Sequence, residues 1–275
     1  MDITALNQSS EEDFVMRIHQ LTMGLFIATA TVIGSQSTAL STWQFNNPTH
    51  PTLSEVAQSR SAQVTQFKVR VENISAWNGQ TASDGTQWTL DFSPGAWLVH
   101  RNNAPLFKTG KRDRGQGLEA IAEDGNPTQL AKSLQKQPEV LASGVFNTAV
   151  GANKVGGIRP EQAFEFTIQA SPGEKLSFAT MFGQSNDLFY SPADAGIALF
   201  DRQGNPVSGD VTDQVLLWDV GTEVNQEPGI GSEQGPRQKA VNTGKAENGV
   251  VRIVKDSFTY PQTGQVMRVI ITPQT

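Results

Sequence analysis

The sequence predicts an all-β protein, an antiparallel β-sandwich with one or two short helices in a connecting segment. Three observations predict it. Short runs alternate apolar and polar residues with the period of two that belongs to a half-buried strand. Turn signals rich in Gly, Pro and Asn separate those runs, and long helical periodicity is scarce.

The first run is the clearest. In Gln66–Ile74, Phe67, Val69 and Val71 alternate with Lys68, Arg70 and Glu72, which puts one face in a core and the other in water. Similar runs recur at Trp88–Phe92, Ala96–His100, Ala163–Ala170, Lys175–Phe182, Gly196–Phe200, Gln214–Trp218, Val250–Tyr260 and Gln265–Thr272. Between them stand Asn78-Gly79, Asp84-Gly85, Pro94-Gly95, Pro172-Gly173, Gly204-Asn205-Pro206 and Thr263-Gly264. Residues 115–140 dissent, with short helical patterns. Asn126-Pro127-Thr128-Gln129 reads as a helix start, with Leu130 and Leu134 as its buried stripe. These helices are expected to bridge two strands at one end of the sandwich.

Composition removes several functions. With no Cys in 275 residues, disulfide scaffolds, thiol catalysis, Cys-ligated zinc and iron–sulfur clusters are excluded. With 21 Lys+Arg against 27 Asp+Glu, an acidic surface would oppose phosphate contacts, so no nucleic-acid partner is expected. Lys108, Lys111, Arg112 and Arg114 form a local basic cluster that reads as a hydrated loop.

The N-terminal segment reads as an export address. Residues 1–39 read as an extension and signal peptide, with Met16 as the better start: Arg17, an apolar core Leu21–Ile33, then Ser37-Thr38-Ala39 before a cut. That core is too short to span a bilayer about 30 Å thick. Residues 40–63, with Pro48 and Pro51, read as a linker or N-terminal arm, and residues 64–275 as the sandwich. Export without Cys suits a periplasmic or secreted protein of bacterial type.

Catalytic motifs are scarce. Beyond the leader only His50 and His100 remain, without metal-ligand spacing. Gly231-Ser232-Glu233-Gln234-Gly235 sets its Ser one position too early for a nucleophile elbow, and no phosphate-binding glycine loop is present. The chain is therefore expected not to be an enzyme.

Two acidic loops carry the remaining chemistry. Ser185-Asn186-Asp187-Leu188-Phe189-Tyr190-Ser191-Pro192 follows one strand, and Trp218-Asp219-Val220-Gly221-Thr222-Glu223 ends another. Gly221 can take a positive φ and fold the chain back, bringing Asp219 and Glu223 toward one point. Two carboxylates that close repel unless a cation lies between them or one is protonated, and calcium takes oxygen ligands of this kind. From spacing alone, Asp219 as a turn cap beside a solvated Glu223 is the simpler account. Phe189 and Tyr190 could touch a membrane or a glycan, although core packing is expected for at least one.

A resemblance shifts that balance. Phe178-Ala179-Thr180-Met181-Phe182 with Ser185-Asn186-Asp187, and the block Leu217-Trp218-Asp219-Val220-Gly221-Thr222-Glu223, resemble the spondin domain, the N-terminal module of F-spondin and mindin. Phe107-Lys108-Thr109-Gly110 and Gly117–Pro127 are similar to further parts of that family, so the likeness runs over about residues 64–273. It implies a C2-like sandwich with a calcium ion at one end, and metal ligands Asp187, Asp219 and Glu223. The sequence departs from the animal members in lacking their cysteines and appended thrombospondin repeats, and in having Glu223 where they usually have Asp. The function expected is an exported calcium-binding module for adhesion or ligand binding, its partner an envelope or extracellular protein or a glycan, with peripheral membrane contact as a further option. A carboxylate-dependent hydrolase of a glycan or ester and a purely structural envelope protein are the alternatives.

Overall fold

The computed structural model describes residues 64–101 and 105–274. The expected leader, the cut after Ala39 and the 40–63 arm lie outside them, as does His50. Among the described residues no helix is long and apolar enough to cross a membrane.

Two antiparallel sheets face each other. The smaller runs β10 (Gly209–Asp210), β13 (Met267–Gln274), β1 (Thr65–Asn73), β6 (Ala163–Ala170). As its alternation requires, β1 buries Phe67, Val69 and Val71 completely. Its outer face carries ion pairs, Arg70 and Arg268 to Glu72 and Lys68 to Glu165, with neighbouring strands in register.

The larger sheet runs β12 (Arg252–Ile253), β11 (Val215–Asp219), β8 (Leu188–Pro192), β7 (Lys175–Phe182), β4 (Phe92–His100), β5 (Val140–Phe146), with β9 (Ile197–Ala198) also pairing β7. A separate ribbon joins β2 (Gln80–Thr81) to β3 (Gln87–Trp88). Between the sheets Phe67, Phe92, Phe146, Phe164, Phe178, Phe182 and Tyr190 fill the core, mostly through edge-on or tilted ring contacts.

The helices do bridge two strands, β4 and β5, but they lie over a sheet face rather than at one end. α1 (Leu118–Asp124) and α2 (Thr128–Leu134) cover the outer face of the larger sheet, where Leu118, Ile121, Leu130 and Leu134 pack on Leu98, Ala179, Phe189 and Trp218. Burying each of those aliphatic side chains is worth about 1.5–3 kcal/mol. Asn126 Oδ1 accepts the Thr128 N–H at 3.0 Å just ahead of α2, but the N-cap is Pro127, one residue later than the sequence suggests, and Gln129 Nε2 donates to Gly115 O at 3.2 Å rather than reaching back. A third short helix, α3 (Thr263–Val266), leads into β13.

A sheet covered on both sides explains one difference from the sequence expectation, and local register explains others. β8 is buried throughout, so the stretch after Asp187 is a strand rather than a loop. Trp88–Phe92 and Ala96–His100 are not two strands divided by a Pro94-Gly95 turn: Pro94-Gly95 is a bulge inside β4, where the register with β7 shifts. Gly95 is required there, since a Cβ would come within 2.3 Å of Ala179 O and closer still to the Phe146 ring. Val250–Tyr260 pairs only over Arg252–Ile253.

Candidate metal centre

The site is built at one end of the larger sheet, where β8 begins and β11 ends. Leu188 pairs with Asp219 across those two strands, which sets Asp187 beside the end of β11. Asp187 is fixed from its own loop by Ser185, whose hydroxyl donates to Phe182 O at 2.7 Å and accepts the Leu188 N–H at 3.1 Å. The Asp187 side chain is fully buried. Its Oδ2 accepts the backbone N–H groups of Thr222 (3.2 Å) and Glu223 (3.0 Å). Its Oδ1 has no hydrogen-bond partner.

Asp219 closes β11 and is 1% exposed. Its Oδ1 accepts the Gly221 N–H at 2.6 Å, so it does form the turn bond expected of an Asp before Gly. Its Oδ2 accepts Asn225 Nδ2 at 2.9 Å and Arg252 Nη2 at 2.6 Å. Gly221 takes the positive φ anticipated from the sequence, 77°, and a Cβ there would lie 2.6 Å from Val250 N. The turn it makes brings residues 221–224 against 245–249: Val224 N–H donates to Lys245 O, Glu247 N–H to Thr222 O, and Gly249 N–H to Gly221 O.

That lacing delivers a carboxylate the sequence did not single out. One oxygen each from Asp187, Asp219 and Glu247 lie within 4.8 Å of one another. Arg252, opposite Asp219 on β12, donates to both Glu247 oxygens at 2.8 Å. Two of the three carboxylates, Asp219 and Glu247, thus share one guanidinium, and burial together with the Asp219 charge holds the Asp187 carboxyl well above its ordinary range. Burial also raises Asp219, with Arg252 opposing.

These residues fit a hard cation. Every donor is oxygen, Asp187 Oδ1 is a buried acceptor without a donor, and Asn225, whose amide reaches Asp219, keeps its own Oδ1 buried and unpartnered. If all three carboxylates are ionised, the guanidinium leaves a charge of two to be balanced, which a divalent ion supplies.

Of the three ligands implied by resemblance, the fold brings Asp187 and Asp219 together and directs the Glu223 side chain elsewhere. Glu223 meets Asp187 through its backbone N–H, while its Oε2 accepts Asn186 Nδ2 at 3.2 Å and its carboxylate lies against Gly244. It belongs with Glu123, whose Oε1 accepts the Thr222 hydroxyl at 2.7 Å and whose Oε2 is buried without a partner. Burial pushes Glu123 up to about 8 and Glu223 up to about 7, helped by surrounding acids.

Phe189 and Tyr190 are both fully buried, so neither is offered to a membrane or glycan. His100 is buried too, with Nε2 2.9 Å from Ser177 Oγ. Glu247, Asn225 and Arg252 escaped the sequence reading because they carry no motif of their own. The usable signal was Asn248-Gly249, a turn just beyond Glu247. No protein-family model matches the chain, and no curated protein matches it.

Proposed function

We propose that the protein is an exported, spondin-like β-sandwich module that holds Ca²⁺ at its loop end and serves adhesion or ligand binding at the cell envelope or outside the cell. The observation carrying this reading is the convergence of Asp187, Asp219 and Glu247 from three separate chain segments, with Asp187 Oδ1 buried and unpartnered. A buried carboxylate oxygen lacking any donor is costly, and a bound cation removes that cost. An all-oxygen donor set of irregular loops suits calcium better than zinc or copper, which prefer nitrogen and sulfur. In this reading Asp187, Asp219 and Glu247 hold the ion, Asn225 stands ready as a neutral oxygen, and Thr222 and Glu223 orient Asp187 through their N–H groups.

With three carboxylates and one competing guanidinium, the affinity expected is of order 10⁻⁴–10⁻³ M, as in extracellular calcium modules. Calorimetric titration of calcium into chelator-washed protein tests this. Uptake in that range by the wild type, lost in Asp187→Asn with the fold intact by circular dichroism, supports it. No uptake by wild type, or equal uptake by the variant, overturns it. The hydrolase alternative has less support, because Asp187, Asp219, Glu123 and Glu223 are all at most 4% exposed, and Glu123 lines a cavity of only about 110 Å³.

A further inference from the structure

Trp77 is 54% exposed, the one aromatic among the exposed large hydrophobic side chains of the described residues. An indole left in water is unusual unless something covers it in use. It does not hang on a loose loop. Gly79 N–H donates to Ala76 O at 3.1 Å, Asn78 N–H to Thr89 Oγ1 at 3.0 Å, and the Thr89 hydroxyl back to Asn78 Oδ1 at 3.1 Å, so the turn that presents the ring is fixed on both sides.

Trp77 lines a cleft of about 430 Å³ together with Gln184, Asp91, Arg159 and Arg237. Gln184 is buried, its Nε2 donating to Thr89 O and its Oε1 accepting Arg237 Nη2, each at 2.9 Å. Arg159 and Asp91 face one another at 3.6 Å and offset each other's charge. Arg237 has no such counterpart. Its hydrogen bonds run to Gly231 O, Gln184 and Gln234, all neutral, and no carboxylate of the described residues lies within ion-pair distance of it. The cleft therefore combines a rigid aromatic platform, amide and hydroxyl groups, and one guanidinium held in place without an anion.

Sugar rings present an apolar C–H face that lies on an indole and hydroxyl edges that bond to amides, and a uronic carboxylate matches the fork of a guanidinium. We propose that this cleft binds an acidic saccharide, with Trp77 under a sugar ring and Arg237 against its carboxylate. The proposal deepens the function above by naming a ligand class and rests on that reading for its setting. It uses different residues from the carboxylate centre, although Gln184 and Asp187 share the loop between β7 and β8.

The test is a titration of the full chain, followed by tryptophan fluorescence and amide chemical shifts, with a hyaluronan hexasaccharide, a neutral chitin hexasaccharide and a hexaglutamate peptide. Each is run in calcium and in chelator. Saturable binding of the hyaluronan oligomer, weakened at least tenfold by Trp77→Ala, retained by Trp77→Phe and weakened by Arg237→Gln, supports the proposal. Equal binding of the neutral oligomer removes the role of Arg237, equal binding of the peptide removes that of the sugar face, and an unchanged Trp77→Ala overturns the site. Arg237→Gln is read only if its amide spectrum remains dispersed, and exposed Trp77 supplies the decisive variant otherwise. Binding that persists in chelator while calorimetry finds no calcium uptake separates this site from the metal centre.

Discussion

Arg252 Nη2 lies 2.6 Å from Asp219 Oδ2, and the two residues are register partners on adjacent strands, so a guanidinium already sits within the acidic centre. The same nitrogen bonds both Glu247 oxygens. Arg252 is thereby both a neutraliser of the centre and a competitor of any metal. Breaking a buried pair costs about 3–5 kcal/mol, and since Arg252 is a third exposed, Arg252→Met is expected to cost about 1–3 kcal/mol without calcium. Calcium affinity should rise, by roughly tenfold for a gain of about 1.4 kcal/mol. Denaturant melts and calorimetry on the variant check both. Weaker calcium binding would show that Arg252 holds Glu247 in place rather than competing.

Glu247 and Glu223 are separated by their surroundings. Glu247 faces Asp187 and Asp219, whereas the Glu223 carboxylate meets Asn186. Glu247→Gln should therefore weaken calcium binding by about tenfold, the equivalent of about 1.4 kcal/mol, and Glu223→Gln by much less. The reverse order in calorimetry would restore Glu223 as the ligand and remove Glu247.

Gly221 holds the loop that brings Glu247 in. Its φ of 77° disfavours any other residue by about 1–2 kcal/mol. The approach of Val250 N leaves no room for a Cβ in addition. Gly221→Ala is expected to lower the melting temperature and to abolish calcium uptake together. A variant with normal stability and normal uptake would contradict the geometry.

Glu123 gives the protein a pH signature. Its carboxyl is raised from 4.5 to about 8 by burial, opposed by the Thr222 hydroxyl and assisted by Glu223, Glu119 and Asp124. A carboxyl with a raised folded pKa binds more protons folded than unfolded between those two values. Stability is therefore full below about pH 4.5 for this group and declines as pH rises toward about 8. Melting temperatures in chelator should fall across that window, and Glu123→Gln should make the fall shallower, the raised carboxyls of Glu223 and Asp187 carrying the rest. An unchanged slope in Glu123→Gln assigns the effect elsewhere.

The chain by itself determined the class of fold. Phe67, Val69 and Val71 alternate because one face of β1 is wet, and that period survives any detail of packing. It also determined, to within one residue, the start of α2 and the positive φ at Gly221, since both are local properties of residue type. Two of the acids, Asp187 and Asp219, were marked by their neighbours in the chain. Only the tertiary structure decided the rest. β8 gives no alternating signal because α1 and the Phe107 ring cover the face that would otherwise be wet, so its place in the sheet depends on segments remote in sequence. Glu247 joins Asp187 and Asp219 through backbone bonds between 221–224 and 245–249, a pairing between irregular segments that no periodicity announces. Which carboxylates meet, and which of them shares Arg252, is a matter of long-range closure, and long-range closure is what a local pattern of residues does not carry.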